Sequence, residues 1–195
     1  DTLDTLRQLP LGELAPGYHS PHPHRIASRS ASYSFRLLWG KETEVSIFCY
    51  PDRGAASEIT RFSVPGAVYM HDFIATEDHL IFFIPPVRIR IARAILRLGP
   101  LRKIFSWRPE LGTEVVVVPL DSPEKPIRLQ APAFHVWHYA NAFSHGDQIG
   151  VDFSHWPDFS SFDSVGSSDY DATSTPELRR AWIDLESKDI TFETL

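Results

Sequence analysis

Nine histidines stand in this chain of 195 residues, and they are the side chains from which chemistry could come. His19, His22 and His24 surround Ser20-Pro21 and Pro23, where the prolines restrict the backbone. In extended chain a His-x-His pair sets both imidazoles on one side, a geometry that metal ions use. His71 follows Val68-Tyr69-Met70 and precedes Asp72-Phe73, within an apolar run that reads as a strand. His135 and His138 share a second such run, and with a period of two an odd offset sends them to opposite faces. His79, His145 and His155 fall beside turn residues, where exposure to solvent is expected. Imidazole suits iron, zinc, copper and nickel alike, so the residues by themselves leave the metal open. No Cys-x-x-Cys, His-Glu-x-x-His, Gly-rich phosphate loop or Gly-x-Ser-x-Gly is present to suggest another chemistry. Cys49, the lone cysteine, sits among apolar residues and reads as packing.

The elements that must hold these histidines are short and mostly extended. Alternating or continuous apolar runs predict strands at 31–39, 43–50, 57–64, 67–75, 78–84, 113–119, 126–130, 134–143, 147–153 and 178–185. Turn chemistry separates them, as at Pro51-Asp52-Arg53-Gly54 and His145-Gly146-Asp147. Many short strands with almost no crossover helices imply an all-β sandwich, barrel or propeller. Residues 87–98, which close on Gly99-Pro100, predict the one helix. Its arginines alternate with Ile and Leu, so it either packs on a sheet or meets a membrane surface as a basic amphipathic element. Residues 1–24 read as an entering loop, and residues 157–176 as a solvated Ser- and Asp-rich loop. In the latter, Asp163, Asp169 and Asp171 do not have the spacing of a calcium-binding loop.

Composition narrows the class. The chain is 43% hydrophobic and 23% charged, which suits a single packed domain or part of one. A net charge of -6 gives no basic surface for nucleic acid. One cysteine cannot form an internal disulfide, so a cytoplasmic location is the expectation. No run approaches the ~20 apolar residues that span a bilayer.

Three strings resemble the signature blocks of the carotenoid cleavage oxygenases, the family that includes lignostilbene dioxygenases. They are Ser20-Pro21-His22-Pro23-His24, Met70-His71-Asp72-Phe73-Ile74-Ala75-Thr76-Glu77 and Trp137-His138-Tyr139-Ala140-Asn141-Ala142-Phe143. Their order matches, the histidines stand 49 and 67 residues apart, and Phe105-Ser106-Trp107-Arg108-Pro109-Glu110-Leu111-Gly112 is also similar. Ile26 and Ser144 stand where the family usually has acidic residues. The resemblance implies that His22, His71 and His138 are ligands of one Fe2+, with His24 a neighbour, and that glutamates orient the ligands. It implies a fourth histidine that is not recognisable after His138. The implied fold is all-β, about three blades of a seven-bladed propeller, with residues 1–195 forming one partial domain of a longer enzyme. The implied reaction is cleavage of a carbon–carbon double bond of a carotenoid or apocarotenoid by dioxygen, giving aldehyde or ketone products. Phe73, Phe82, Phe83, Trp137 and Phe143 are expected to line the tunnel for an apolar conjugated substrate, and residues 87–98 to flank its entrance at a membrane. Two alternatives stand beside this: a stilbene-cleaving dioxygenase of the same family, and a non-catalytic propeller that binds partners. Alone, a chain of this length is expected to be inactive.

Overall fold

A computed structural model describes residues 17–164 and 175–195. Of the loop readings, residues 1–16 lie outside it, as do Asp169 and Asp171.

The first sheet holds β1 (Tyr18–His19), β2 (His24–Ile26), β3 (Ala31–Trp39), β4 (Glu42–Pro51) and β5 (Ser57–Pro65), with β1 and β2 both paired to β3. The chain then crosses to β6 (Ile74–Ala75) and β7 (His79–Ile84). It leaves for a small excursion of β8 (Val87–Ile89), α1 (Ile91–Ile95) and β9 (Phe105–Trp107), and returns as β10 (Thr113–Pro119) and β11 (Ile127–Ala131). The second sheet is ordered β11-β10-β7-β6. A meander of β12 (His135–His145), β13 (Gln148–Trp156), β14 (Glu177–Asp184) and β15 (Asp189–Thr194) forms the third. Every ladder between these strands is antiparallel. The three sheets are three blades.

Two cores fix the stacking of the blades. Val116 and Val118 of β10, with Leu80, Phe82 and Ile84 of β7, face Phe35, Leu37, Val45 and Ile47 of the first sheet. The alternate residues Val115, Val117, Ile81 and Phe83 face Val151, Phe153 and Ala181 of the third. Buried on both sides, β7 and β10 read as continuous apolar runs, while strands with one wet face alternate.

Two of the departures from expectation bear on the site and its surroundings. Residues 87–98 do not form one helix: β-branched Val87 and Ile89 pair with Trp107 and Phe105, and only Ile91–Ile95 is helical. Positive φ at Arg97 (50°) and Gly99 (88°) turns the chain back, leaving Ile95, Leu96, Leu98 and Leu101 exposed. The predicted strand 67–75 is a strand only at Ile74–Ala75. Before that, backbone bonds Tyr69 N–H to Val87 O and Ile89 N–H to Ala67 O tie the crossing segment to the excursion. His71 and Asp72 therefore lie on the crossing, outside any ladder, which frees them to face a site between blades.

Candidate metal centre

Two loop segments and one distorted strand bring His22, His71 and His138 together. Ser20 organises the first loop: its N–H donates to Phe35 O at 2.9 Å, its hydroxyl accepts from His22 N–H at 3.2 Å and donates to His71 O at 3.5 Å. Pro21 and Pro23 stiffen the residues either side of His22. The Nε2 atoms of His22 and His71 are 3.0 Å apart. His138 closes the group, with ring centroids 4.9 Å from His22 and 5.1 Å from His71. One ring nitrogen from each of the three lies within 4.8 Å of the others.

His138 reaches the site by a different route from simple alternation. Val136 pairs with His155 and Tyr139 with Phe153, so β12 carries one more residue than β13 between them. Val136 and Tyr139, three apart, both pack into the second core. Strict alternation would have put His138 on the core side with Val136; the bulge turns it out toward His22 and His71. His135 is fully buried against Trp137 and Phe159, at 4.6 and 4.8 Å between ring centroids, and among the described residues neither of its nitrogens has a hydrogen-bond partner. Sequence reasoning chose His138 over His135 on a periodicity that the strand does not keep.

The surroundings set protonation. Burial, then the neighbouring His22 and His138, hold the His71 imidazole below its ordinary pKa. Burial similarly lowers His135, to about 3. Burial would raise Asp72, but hydrogen bonds from His24 and the Phe73 N–H outweigh it and keep the carboxyl below its usual range. Asp72 Oδ2 lies 3.3 Å from His138 Nδ1 and Oδ1 lies 3.4 Å from His24 Nε2. The Tyr69 hydroxyl is 3.3 Å from His71 Nδ1. Imidazoles with their nitrogens gathered fit a borderline-soft divalent ion. The 3.0 Å between the Nε2 atoms of His22 and His71 is close enough for one ion to be held by both.

His24, expected as a neighbour of the ligands, stands beside the cluster and contacts Asp72. Among the described residues, Asp72 and Tyr69 are the polar side chains that meet the far nitrogens of His138 and His71. Their signal in the sequence was adjacency to His71 alone. Of the five tunnel residues, only Trp137 is beside the cluster, 5.4 Å from His71. Phe73 and Phe82 belong to the first core and Phe83 to the second, all three buried. Phe143 sits against Trp182 on the third blade. His79 and His155, expected at the surface, are half-buried.

The sequence profile described as retinal pigment epithelial membrane protein matches residues 1–194. The chain belongs to that family. Isoeugenol monooxygenase of Pseudomonas putida is 31% identical over 144 residues, covering 72% of this chain and 29% of that protein. Apocarotenoid-15,15'-oxygenase of Synechocystis is 27% identical over 123 residues, 62% of this chain and 25% of that protein. The crystal structure of cobalt-substituted Synechocystis ACO superposes with a TM-score of 0.83 at 22% identity, covering 98% of this chain and 42% of that one. An ACO/RPE65 chimera gives the same score. The three blades therefore have the fold of part of these propeller enzymes, and the chain spans less than half the length of each of these relatives.

Proposed function

We propose that the complete protein is a non-haem iron oxygenase that cleaves a conjugated carbon–carbon double bond with dioxygen, giving two carbonyl products. The observation that carries this is the convergence of His22, His71 and His138 in a chain of the oxygenase-containing family. Bound iron would supply the activation of dioxygen. The chain's own part is to present neutral ring nitrogens, to keep His71 unprotonated by burial, and to wall the site with Tyr69 and Trp137. We further propose that the described blades form part of one larger propeller domain, which contributes a fourth histidine.

The substrate of the first reading is a carotenoid or apocarotenoid. A second reading, an aryl alkene of the stilbene or propenylbenzene type, is supported by a cavity of about 300 Å³ lined by Phe105, Trp107, Phe159, Phe162 and Arg102. Phe159 and Phe162 stack on Trp137 at 5.6 and 6.2 Å, so this ring-sized space abuts the wall of the histidine cluster. The 31% identity to an isoeugenol monooxygenase supports it too. Incubating the iron-loaded complete protein with isoeugenol and, separately, with an apocarotenal distinguishes them by the aldehyde formed. No aldehyde from either would overturn the reading.

For location, a cytoplasmic protein with peripheral membrane contact remains the proposal. Exposed Ile95, Leu96, Leu98 and Leu101 beside Arg93, Arg97 and Arg102 support it, as apolar side chains enter the acyl boundary while arginines meet headgroups.

A further inference from the structure

We propose that Tyr69, Tyr18 and Trp39 form a relay that carries oxidising equivalents from the histidine cluster to the surface. It would protect the centre when dioxygen is activated with no substrate to consume it, and it rests on the iron-oxygenase reading above. Tyrosine and tryptophan rings can give up one electron to a strong oxidant; phenylalanine does so far less readily. Among the described residues, three contacts join one Tyr or Trp ring to another, and all three lie on one line. Trp137, 5.4 Å from His71, meets Tyr69 at 6.4 Å between centroids; Tyr69 meets Tyr18 at 6.3 Å; Tyr18 stacks on Trp39 at 6.0 Å. These are ordinary distances for rings in contact.

The line has a direction. At one end the Tyr69 hydroxyl is 3.3 Å from His71 Nδ1, and at the other Trp39 is 37% exposed. The side branches stop: Tyr69 also touches Phe105 and Phe159, and Trp137 touches Phe159 and Phe162. The fold holds the rings in place. Tyr18 of β1 lies opposite Leu37 of β3, so Trp39, two residues on, is its diagonal neighbour on the same face. The Trp39 indole N–H donates to Val68 O at 2.7 Å, which ties the ring to the segment that carries Tyr69.

One electron passes from Tyr69 to the oxidised centre, one from Tyr18 to Tyr69 and one from Trp39 to Tyr18. Each tyrosine releases its phenolic proton to water as its electron leaves and takes a proton back with the next electron. Trp39 is left one electron short as a radical cation, its N–H still bonded to a carbonyl, which is a weak base. A soluble thiol or ascorbate-type reductant, meeting the exposed ring, returns that electron. The net change is one electron moved from the reductant to the centre, with every ring restored.

The test keeps the iron-loaded complete protein under air without substrate or reductant, with catalase present, and maps added oxygen by peptide mass spectrometry. Oxygen is expected at Trp39 well ahead of Trp182, a partly exposed ring off the line, and not when Zn2+ replaces iron. Tyr18→Phe keeps the ring but interrupts the relay. It should lower oxidation at Trp39 and raise it several-fold at Trp137 and the cluster histidines, with Tyr18→Trp restoring the wild-type pattern. Equal oxidation of Trp39 and Trp182, the same Trp39 oxidation with Zn2+, or an unchanged pattern in folded Tyr18→Phe would overturn the relay. The wild-type and Zn2+ results decide this even if the variants do not fold. Iron content of the same samples separates the two failures: a wild type that holds no iron contradicts the iron reading itself, whereas an iron-loaded one with no preference for Trp39 contradicts the relay alone.

Discussion

At the scale of single residues, burial decides which histidines could take part in chemistry and which carry a cost. His135 has no exposed surface and, among the described residues, no partner for either nitrogen. A buried polar group in that state costs about 1–3 kcal/mol. Replacing it by Phe, which suits the surrounding Trp137 and Phe159 rings, should raise the urea midpoint of the complete protein with an unchanged slope; a lowered midpoint would show that the imidazole is stabilising. The pH dependence follows from the same burial. His135 is held down to about 3 when folded, against ~6.5 in an unfolded chain, so the unfolded state binds the extra proton. Stability should fall as pH drops from about 6.5 toward 3, by up to ~1.4 kcal/mol per pH unit for this one group. Urea titrations across that range should show a shallower fall in His135→Phe.

The residues that name the site were legible because they stand in short strings of fixed order: His22, His71 and His138 need only the local sequence to be recognised. Asp72 was visible in the same string, but its partner was not. Whether its carboxylate meets His138, 66 residues away, depends on how the second and third blades stack, which no local pattern carries. The placement of the expected tunnel residues depends on the same stacking. Phe73, Phe82 and Phe83 are apolar and near the motif, yet proximity in sequence did not distinguish a wall from a core.

Elements obey the apolar pattern closely where both faces are set by packing. Strand β3 occupies the predicted 31–39, and the runs His79–Ile84 and Thr113–Pro119 are strands because each alternate residue enters a different core. Phe82→Ala, at the junction of Phe35, Phe62 and Phe73, should cost about 3–5 kcal/mol, read as a drop in the unfolding midpoint. A loss below 1 kcal/mol would mean the first core is not packed as described. Backbone constraint matters at the entry to β10. Gly112 has φ +65°, and a Cβ there would stand 2.7 Å from Ala131 O, so Gly112→Ala should destabilise by about 1–3 kcal/mol. Strand β15 was missed although Ile190 and Phe192 alternate, being short and terminal, and the β12 bulge could not be read because it exists only relative to β13. Residues 87–98 had the composition of a helix but are divided by pairing with 105–107.

For the whole molecule, the exposed apolar cluster at 95–101 lies on the excursion between β8 and β9, away from the sheet ladders. If it meets a membrane, Ile95→Ser combined with Leu96→Ser should reduce co-sedimentation with anionic phospholipid vesicles several-fold and leave iron content unchanged; equal sedimentation of variant and wild type would remove the membrane contact. The central claim is that three blades aim His22, His71 and His138 at one iron ion. Elemental analysis of the complete protein, compared with its folded His71→Ala variant, tests this most directly. The account predicts about one iron per wild-type molecule, from one three-histidine cluster, and little in the variant. Equal iron in the two proteins would contradict it.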